Sequence, residues 1–180
     1  TSGHELWVSN GTNSGTYMVK DIWAGSHGSE PESLTDVNGT LFFSADDNIN
    51  GRELWKSDGT LSGTVMVKDI YTGSTTTTTP YGSITSVNEG ISWNGSFGSS
   101  FASVDGKLYF NGKDGTNGLE LWESDGTAAG TKLVRDIRPG ISSSYTTGLT
   151  SVGNKLYFVA DDGTNGKELM GMRVCVTTNP

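Results

Sequence analysis

The stretch Glu53-Leu54-Trp55-Lys56-Ser57-Asp58-Gly59-Thr60, followed by Gly63-Thr64 and an apolar run closing on Lys68-Asp69-Ile70, decides the fold because it recurs. Glu5-Leu6-Trp7 and Glu120-Leu121-Trp122 open the same pattern, which closes on Lys20-Asp21-Ile22 and Arg135-Asp136-Ile137; a degraded copy stands at Glu168-Leu169-Met170. The copies are 48, 67 and 48 residues apart. Upstream lies a Val-x-x-x-Leu-aromatic-Phe stretch, at Val37 to Phe43, Val104 to Phe110 and Val152 to Phe158. Its Val precedes the Glu by 16 residues every time. Self-similarity this tight marks a repeat architecture in which each unit is one supersecondary element.

The middle spacing holds a 19-residue insertion between Ile70 and Val104. It contains the run Thr75 to Thr79 before Pro80, and its Ser, Thr and Gly content predicts weak ordering, because such a composition buries little apolar surface. Ser83 to Asn88 reads as a second copy of the element Leu34 to Asn38. Each unit otherwise reads as four short strands, typified by Leu149 to Val152, Lys155 to Ala160, Leu119 to Glu123 and Thr131 to Ile137. Gly, Asn and Asp stand at every junction. No helical period is present. In the second strand both alternating sets are apolar, Leu156 with Phe158 and Tyr157 with Val159, which predicts cover on both faces. The fourth mixes Leu133, Arg135 and Ile137 with Val134 and Asp136, as suits a sheet edge.

The expected class is therefore all-β: tandem four-stranded antiparallel blades of the β-propeller type, about three of them, one composite or shared. A β-solenoid competes, but its repeats are shorter and its strands parallel. Residues 1–180 form a single repeat domain, with repeats at about 3–50, 51–118 (carrying the insertion 71–100), 119–166 and a partial 167–180. Two, four, four and three strands make thirteen, and propeller rings have roughly four to eight blades. A homo-oligomer or a longer repeat array is expected. The strands around Glu5 and Lys20 are expected to pair with the first and second C-terminal strands, in the same chain or in a partner.

The strings Glu53 to Thr60 and Ala160-Asp161-Asp162-Gly163-Thr164-Asn165-Gly166 resemble the ELWxxDGT repeat family of secreted and cell-surface bacterial proteins, over nearly all of the chain apart from residues 71–100 and the last ten. The resemblance implies a propeller-like, exported, non-catalytic module, extracellular or at the cell surface. Glu168-Leu169-Met170-Gly171-Met172-Arg173 departs from the pattern, so a normal blade is not expected to continue there.

Composition narrows the partners. Twenty acidic residues face twelve basic ones in 180, a formal net charge of −8, with no basic cluster of the kind that nucleic acid or an anionic membrane requires. The longest apolar run is four or five residues, as in Leu156 to Ala160, whereas a spanning helix needs about twenty; neither nucleic acid nor membrane insertion is expected. Cys175, the single cysteine, with only His4 and His27 in the chain, offers too few ligands for zinc and reads as a small structural residue. Thr1-Ser2-Gly3-His4 shows no secretory leader, which is either absent or removed.

Residues present in every copy read as structural: Trp7, Trp55 and Trp122, the Glu before each, the Asp of each Asp-Ile pair and the Ser-Asp-Gly-Thr turns. A glycosidase needs two differentiated carboxyl groups at a set separation, which symmetric copies do not offer. No Gly-x-Ser-x-Gly elbow stands in a strand-to-helix context. An enzyme is not expected, a glycan-processing hydrolase being the third reading. Asp46-Asp47-Asn48-Ile49-Asn50-Gly51 fits the Asp-x-Asx-x-Asx-Gly spacing of calcium loops, with Asp46, Asn48 and Asn50 as ligands; the same residues also make an Asx-rich hairpin turn. Calcium is the one cofactor considered. Residues that break the repeat are the candidates for ligand contact: Trp23 and His27, Tyr71, and Arg138 on the loops after each Asp-Ile, and Trp93, with Tyr81 and Phe97, in the insertion. The function expected is a non-catalytic binding or adhesion module for an extracellular glycan or protein. The alternative is a self-assembling structural subunit, a closed oligomer or fibre completed by strand sharing.

Overall fold

A computed structural model describes residues 2–80, 82–91 and 101–174. Among these the chain is entirely β, with fifteen strands in antiparallel sheets and no helix, hence none long and apolar enough to cross a membrane. β1 (Leu6–Ser9) and β2 (Thr16–Lys20) form a two-stranded sheet. β3 (Glu32–Val37), β4 (Thr40–Asp46), β5 (Arg52–Ser57) and β6 (Val65–Lys68) form a four-stranded sheet in chain order. β7 (Ser74–Thr79) and β8 (Gly82–Val87) make a separate hairpin. β9 (Ala102–Val104), β10 (Lys107–Gly112), β11 (Glu120–Ser124) and β12 (Lys132–Arg135) repeat the four-stranded sheet. β13 (Thr147–Val152), β14 (Lys155–Asp161) and β15 (Lys167–Arg173) make a final sheet of three.

The expected two, four, four and three strands are present, and the insertion adds two more. Its hairpin is exposed along almost its whole length and is held by hydroxyl pairs such as Thr76 with Thr85 at 2.8 Å. Threonine's β-branched side chain suits a strand without any core behind it. Part of the segment expected to order weakly, Ser74–Thr79 and Gly82–Val87, therefore forms regular strands, while residues 81 and 92–100 of it lie outside the described residues. The second copy of Leu34 to Asn38 lies within it, at β8.

Each four-stranded sheet presents two apolar faces because β4 and β10 carry both alternating sets. Phe43, Ala45 and Trp55 pack on Leu6, Val19 and Ile22 of the first sheet. Phe42, Leu54, Val67 and Ile70 of the same sheet, on its other face, pack on Leu108, Phe110 and Trp122 of the next. Tyr109, Leu121 and Ile137 then meet Leu156, Phe158 and Ala160 of the last. The sheets thus stack face to face in chain order, with Trp55 and Trp122 each pointing toward the preceding sheet.

Among the described residues, the two end sheets have a neighbour on one side only. Trp7 is 58% exposed, where Trp55 and Trp122 are 6% and 4%. At the other end, β14 buries Leu156, Phe158 and Ala160 and leaves Tyr157 and Val159 half exposed, while Val152 and Leu169 are exposed. Cover on both faces of that strand, expected from its alternation, is thus found on one side only among the described residues. Nor do the strands around Glu5 and Lys20 join the C-terminal sheet within the chain. β15 takes the place beside β14 in an unbroken register from Lys155 with Arg173 to Asp161 with Lys167.

Candidate functional site

Antiparallel topology delivers two kinds of loop to the same end of each sheet: the corner after the fourth strand and the turn between the second and third. The repeated Glu holds them there. Glu5 Oε2 accepts from Ile22 N at 3.0 Å and Oε1 from Ser29 N at 3.0 Å. Glu53 accepts from Ile70 N at 3.0 Å and Gly90 N at 2.8 Å; Glu120 accepts from Ile137 N and Ser144 N, each at 2.9 Å. The carbonyls of Ser29, Gly90 and Ser144 in turn accept from Asp46 N, Lys113 N and Asp161 N of the following sheet, all at 2.9 Å. One buried carboxylate per unit therefore ties the Asp-Ile corner to the linker, and the linker to the next sheet.

This interlock also locates thirteen of the nineteen inserted residues before Gly90. Glu5 to Ser29 and Glu120 to Ser144 span 24 positions, Glu53 to Gly90 spans 37. The excess loops out as β7 and β8 from the corner at Gly73, whose carbonyl accepts from Asn88 N at 3.0 Å.

Burial pushes the Glu53 carboxyl up to about 8, against the opposing pull of the Ile70 and Gly90 amides, and raises Glu120 for the same reason. A raised carboxyl is a common mark of a general acid. Here both groups are fully buried and their oxygens are engaged by backbone N–H, which is a structural use. Asp21, Asp69 and Asp136, equivalent in the three Asp-Ile pairs, each keep one buried oxygen that accepts no hydrogen bond among the described residues. Desolvation raises Asp69, and the nearby Asp47 charge adds to it.

The Ser-Asp-Gly-Thr turns sit at the opposite end. Asp58 accepts from Thr60 N at 2.9 Å and Thr60 Oγ1 at 2.7 Å, and Asp125 repeats both bonds to Thr127. These bonds hold both carboxyls below their usual range. Gly59 and Gly126 supply φ of 87° and 86°, which L side chains avoid.

The residues singled out for ligand contact lie on successive corners at the loop end. Trp23 and His27 stack on each other, centroids 5.2 Å apart and planes 20° from parallel, Trp23 half-buried and His27 exposed. Tyr71 lies under Lys113 Nζ, 5.7 Å from its ring centre, and against Gly115, where an added Cβ would fall 2.4 Å from the ring. It lines a cleft of about 290 Å³ shared with Lys113, Asn117 and Ile141, the last 83% exposed. Arg138 Nη1 meets Asp161 Oδ2 at 3.0 Å. Each corner thus leans on the turn of the following sheet or on itself. Trp93, Tyr81 and Phe97, like Cys175, lie outside the described residues.

In the Asp46 to Gly51 turn, Asp46 Oδ1 accepts from Asn48 N at 2.7 Å, and Asp47 accepts from Ile49 N, Asn50 N and the Asn50 side-chain amide. Asp162 makes the corresponding bonds to Thr164 and Asn165, and Asp114 to Thr116 and Asn117. Among the described residues no group of three or more His, Cys, Asp or Glu is placed to hold a metal ion. Sequence reasoning missed Lys113, Ile141 and Asp47; the first two break the repeat as Tyr71 does, and that signal was available. A scan of family models, a search of curated proteins and a search of solved structures each find no match to this chain.

Proposed function

We propose that this chain is a non-catalytic binding module of propeller-type blades, of the ELWxxDGT kind and exported to the cell surface or medium, which recognises a glycan or protein with the loop end of its sheets. The observation that carries the reading is a division of labour. The Glu common to the units is consumed in holding the loop end together, while residues that differ stand there on that scaffold: the Trp23–His27 stack, the Tyr71–Lys113 cleft with exposed Ile141, and the projecting β7–β8 hairpin. Aromatic rings beside polar groups suit stacking on sugar rings and anchoring of partner chains. The engaged carboxylates of Glu5, Glu53 and Glu120 favour a non-catalytic role over a hydrolase.

A glycan array together with a surface-protein pull-down tests this with Trp23→Ala and Tyr71→Ala. Selective capture by the parent chain that either variant loses, with an unchanged melting midpoint, is expected. Capture indifferent to both variants would refute the assignment to this end. A second reading, self-assembly into a ring or fibre, is favoured by exposed Trp7 at one end of the stack and by Val152 and Leu169 at the other. Sedimentation velocity over a concentration series, without ligand, separates the two.

A further inference from the structure

The last junction between sheets differs from the two before it in a way that leaves space. At the first two, the indole of Trp55 or Trp122 fills the interface, and an ammonium from the preceding sheet lies over it: Lys20 Nζ 5.6 Å from the Trp55 ring and Lys68 Nζ 5.7 Å from Trp122. At the third, the tryptophan position holds Met170, the following same-face serine position holds Met172, and the lysine is Arg135. A cavity of about 420 Å³ opens there, lined by Leu121, Val134, Phe158, Met170 and Met172, with Arg135 on its wall. Val134 is only half-buried, whereas its counterparts Val19 and Val67 are 6% and 8% exposed.

We infer that this cavity is a binding site for a small aromatic carboxylate, its ring in the place the repeat gives to indole and its anionic group toward Arg135. The volume is that of a small-molecule pocket, and the lining is apolar with one convergent charge, the usual composition of such sites. Unbranched, polarizable methionines adapt to a ring face. Arg135 makes no ion pair among the described residues, so its guanidinium is available for a bidentate bond.

The test titrates the whole chain with indole-3-propionate and, separately, with neutral indole, by ligand-observed NMR and calorimetry. The parent chain is expected to bind indole-3-propionate saturably at one site, with a dissociation constant on the order of 0.1–1 mM. Arg135→Gln is expected to weaken that binding about tenfold and to leave indole unchanged. Met170→Trp restores the repeat and is expected to abolish binding of both probes, with Met170→Phe as a second filling variant should the first fold poorly. Absence of saturable binding, binding that survives a folded filling variant, or equal affinity in parent and Arg135→Gln would each overturn the proposal.

Discussion

Replacing each repeat tryptophan by alanine in turn makes the same chemical change at three equivalent places, and the stacking of the sheets predicts unequal costs. Trp55 and Trp122 are 6% and 4% exposed and Trp7 is 58% exposed, so the first two bury about half a side chain more than the third. A tryptophan side chain offers roughly 150–250 Å². At about 25 cal/mol per Å², the difference is worth on the order of 3 kcal/mol, and differences of this kind are sounder than absolute sums. Trp55→Ala and Trp122→Ala are expected to cost about 3–5 kcal/mol and Trp7→Ala at most about 2. For a chain of this size each kcal/mol moves the melting midpoint by about 2–4 °C. Thermal and urea unfolding followed by circular dichroism at low protein concentration reads the three variants against the parent. A Trp7→Ala loss as large as that of Trp122→Ala would refute the reasoning, for it would mean that the face carrying Trp7 is covered.

Three further outcomes follow from particular contacts. Glu53 has a folded-state carboxyl raised to about 8 from an ordinary value near 4.5, so the folded state holds its proton more tightly than the unfolded chain. Its stability contribution is fully present below about 4.5 and is lost as the pH rises through about 8; Glu53→Gln should flatten the fall in melting midpoint across that window, and an unchanged slope would count against it. Gly115 has φ of 85° and no room for a Cβ beside Tyr71; Gly115→Ala should cost about 1–3 kcal/mol in urea unfolding and displace the Tyr71 ring, seen as a change in near-ultraviolet dichroism. The Asp46 and Asp47 carboxylates already accept N–H groups in an Asx-type turn, so millimolar Ca²⁺ and a chelator should give the same midpoint. A rise of several degrees with Ca²⁺ would instead identify a cation site.

Much of this was legible in the chain because repetition converts one local reading into several independent ones. The strand order within each unit, the edge position of the fourth strand, and the structural use of Glu5, Glu53 and Glu120 all followed from pattern and spacing. The hairpin of residues 74 to 87 did not. Composition measures the capacity to bury apolar surface, whereas β7 and β8 are joined by backbone pairing and threonine hydroxyls with almost nothing buried. Tyr71 and Arg138 were legible as departures from the repeat, but their partners Lys113 and Asp161 lie 42 and 23 positions away and meet them only through the stacking of one sheet on the next.

The sequence by itself therefore determined the unit: four short strands, a turn held by Asp and Gly, and a Glu kept for a structural use, because these depend on side-chain alternation and on repetition; that this Glu ties the corner to the linker came from the structure. Only the tertiary structure decided what each face of a unit meets. The same tryptophan is exposed at position 7 and buried at positions 55 and 122, and the apolar set Tyr157 with Val159 is left half open. Burial belongs to a pair of surfaces, and a repeat specifies one surface without saying which copy, if any, lies against it.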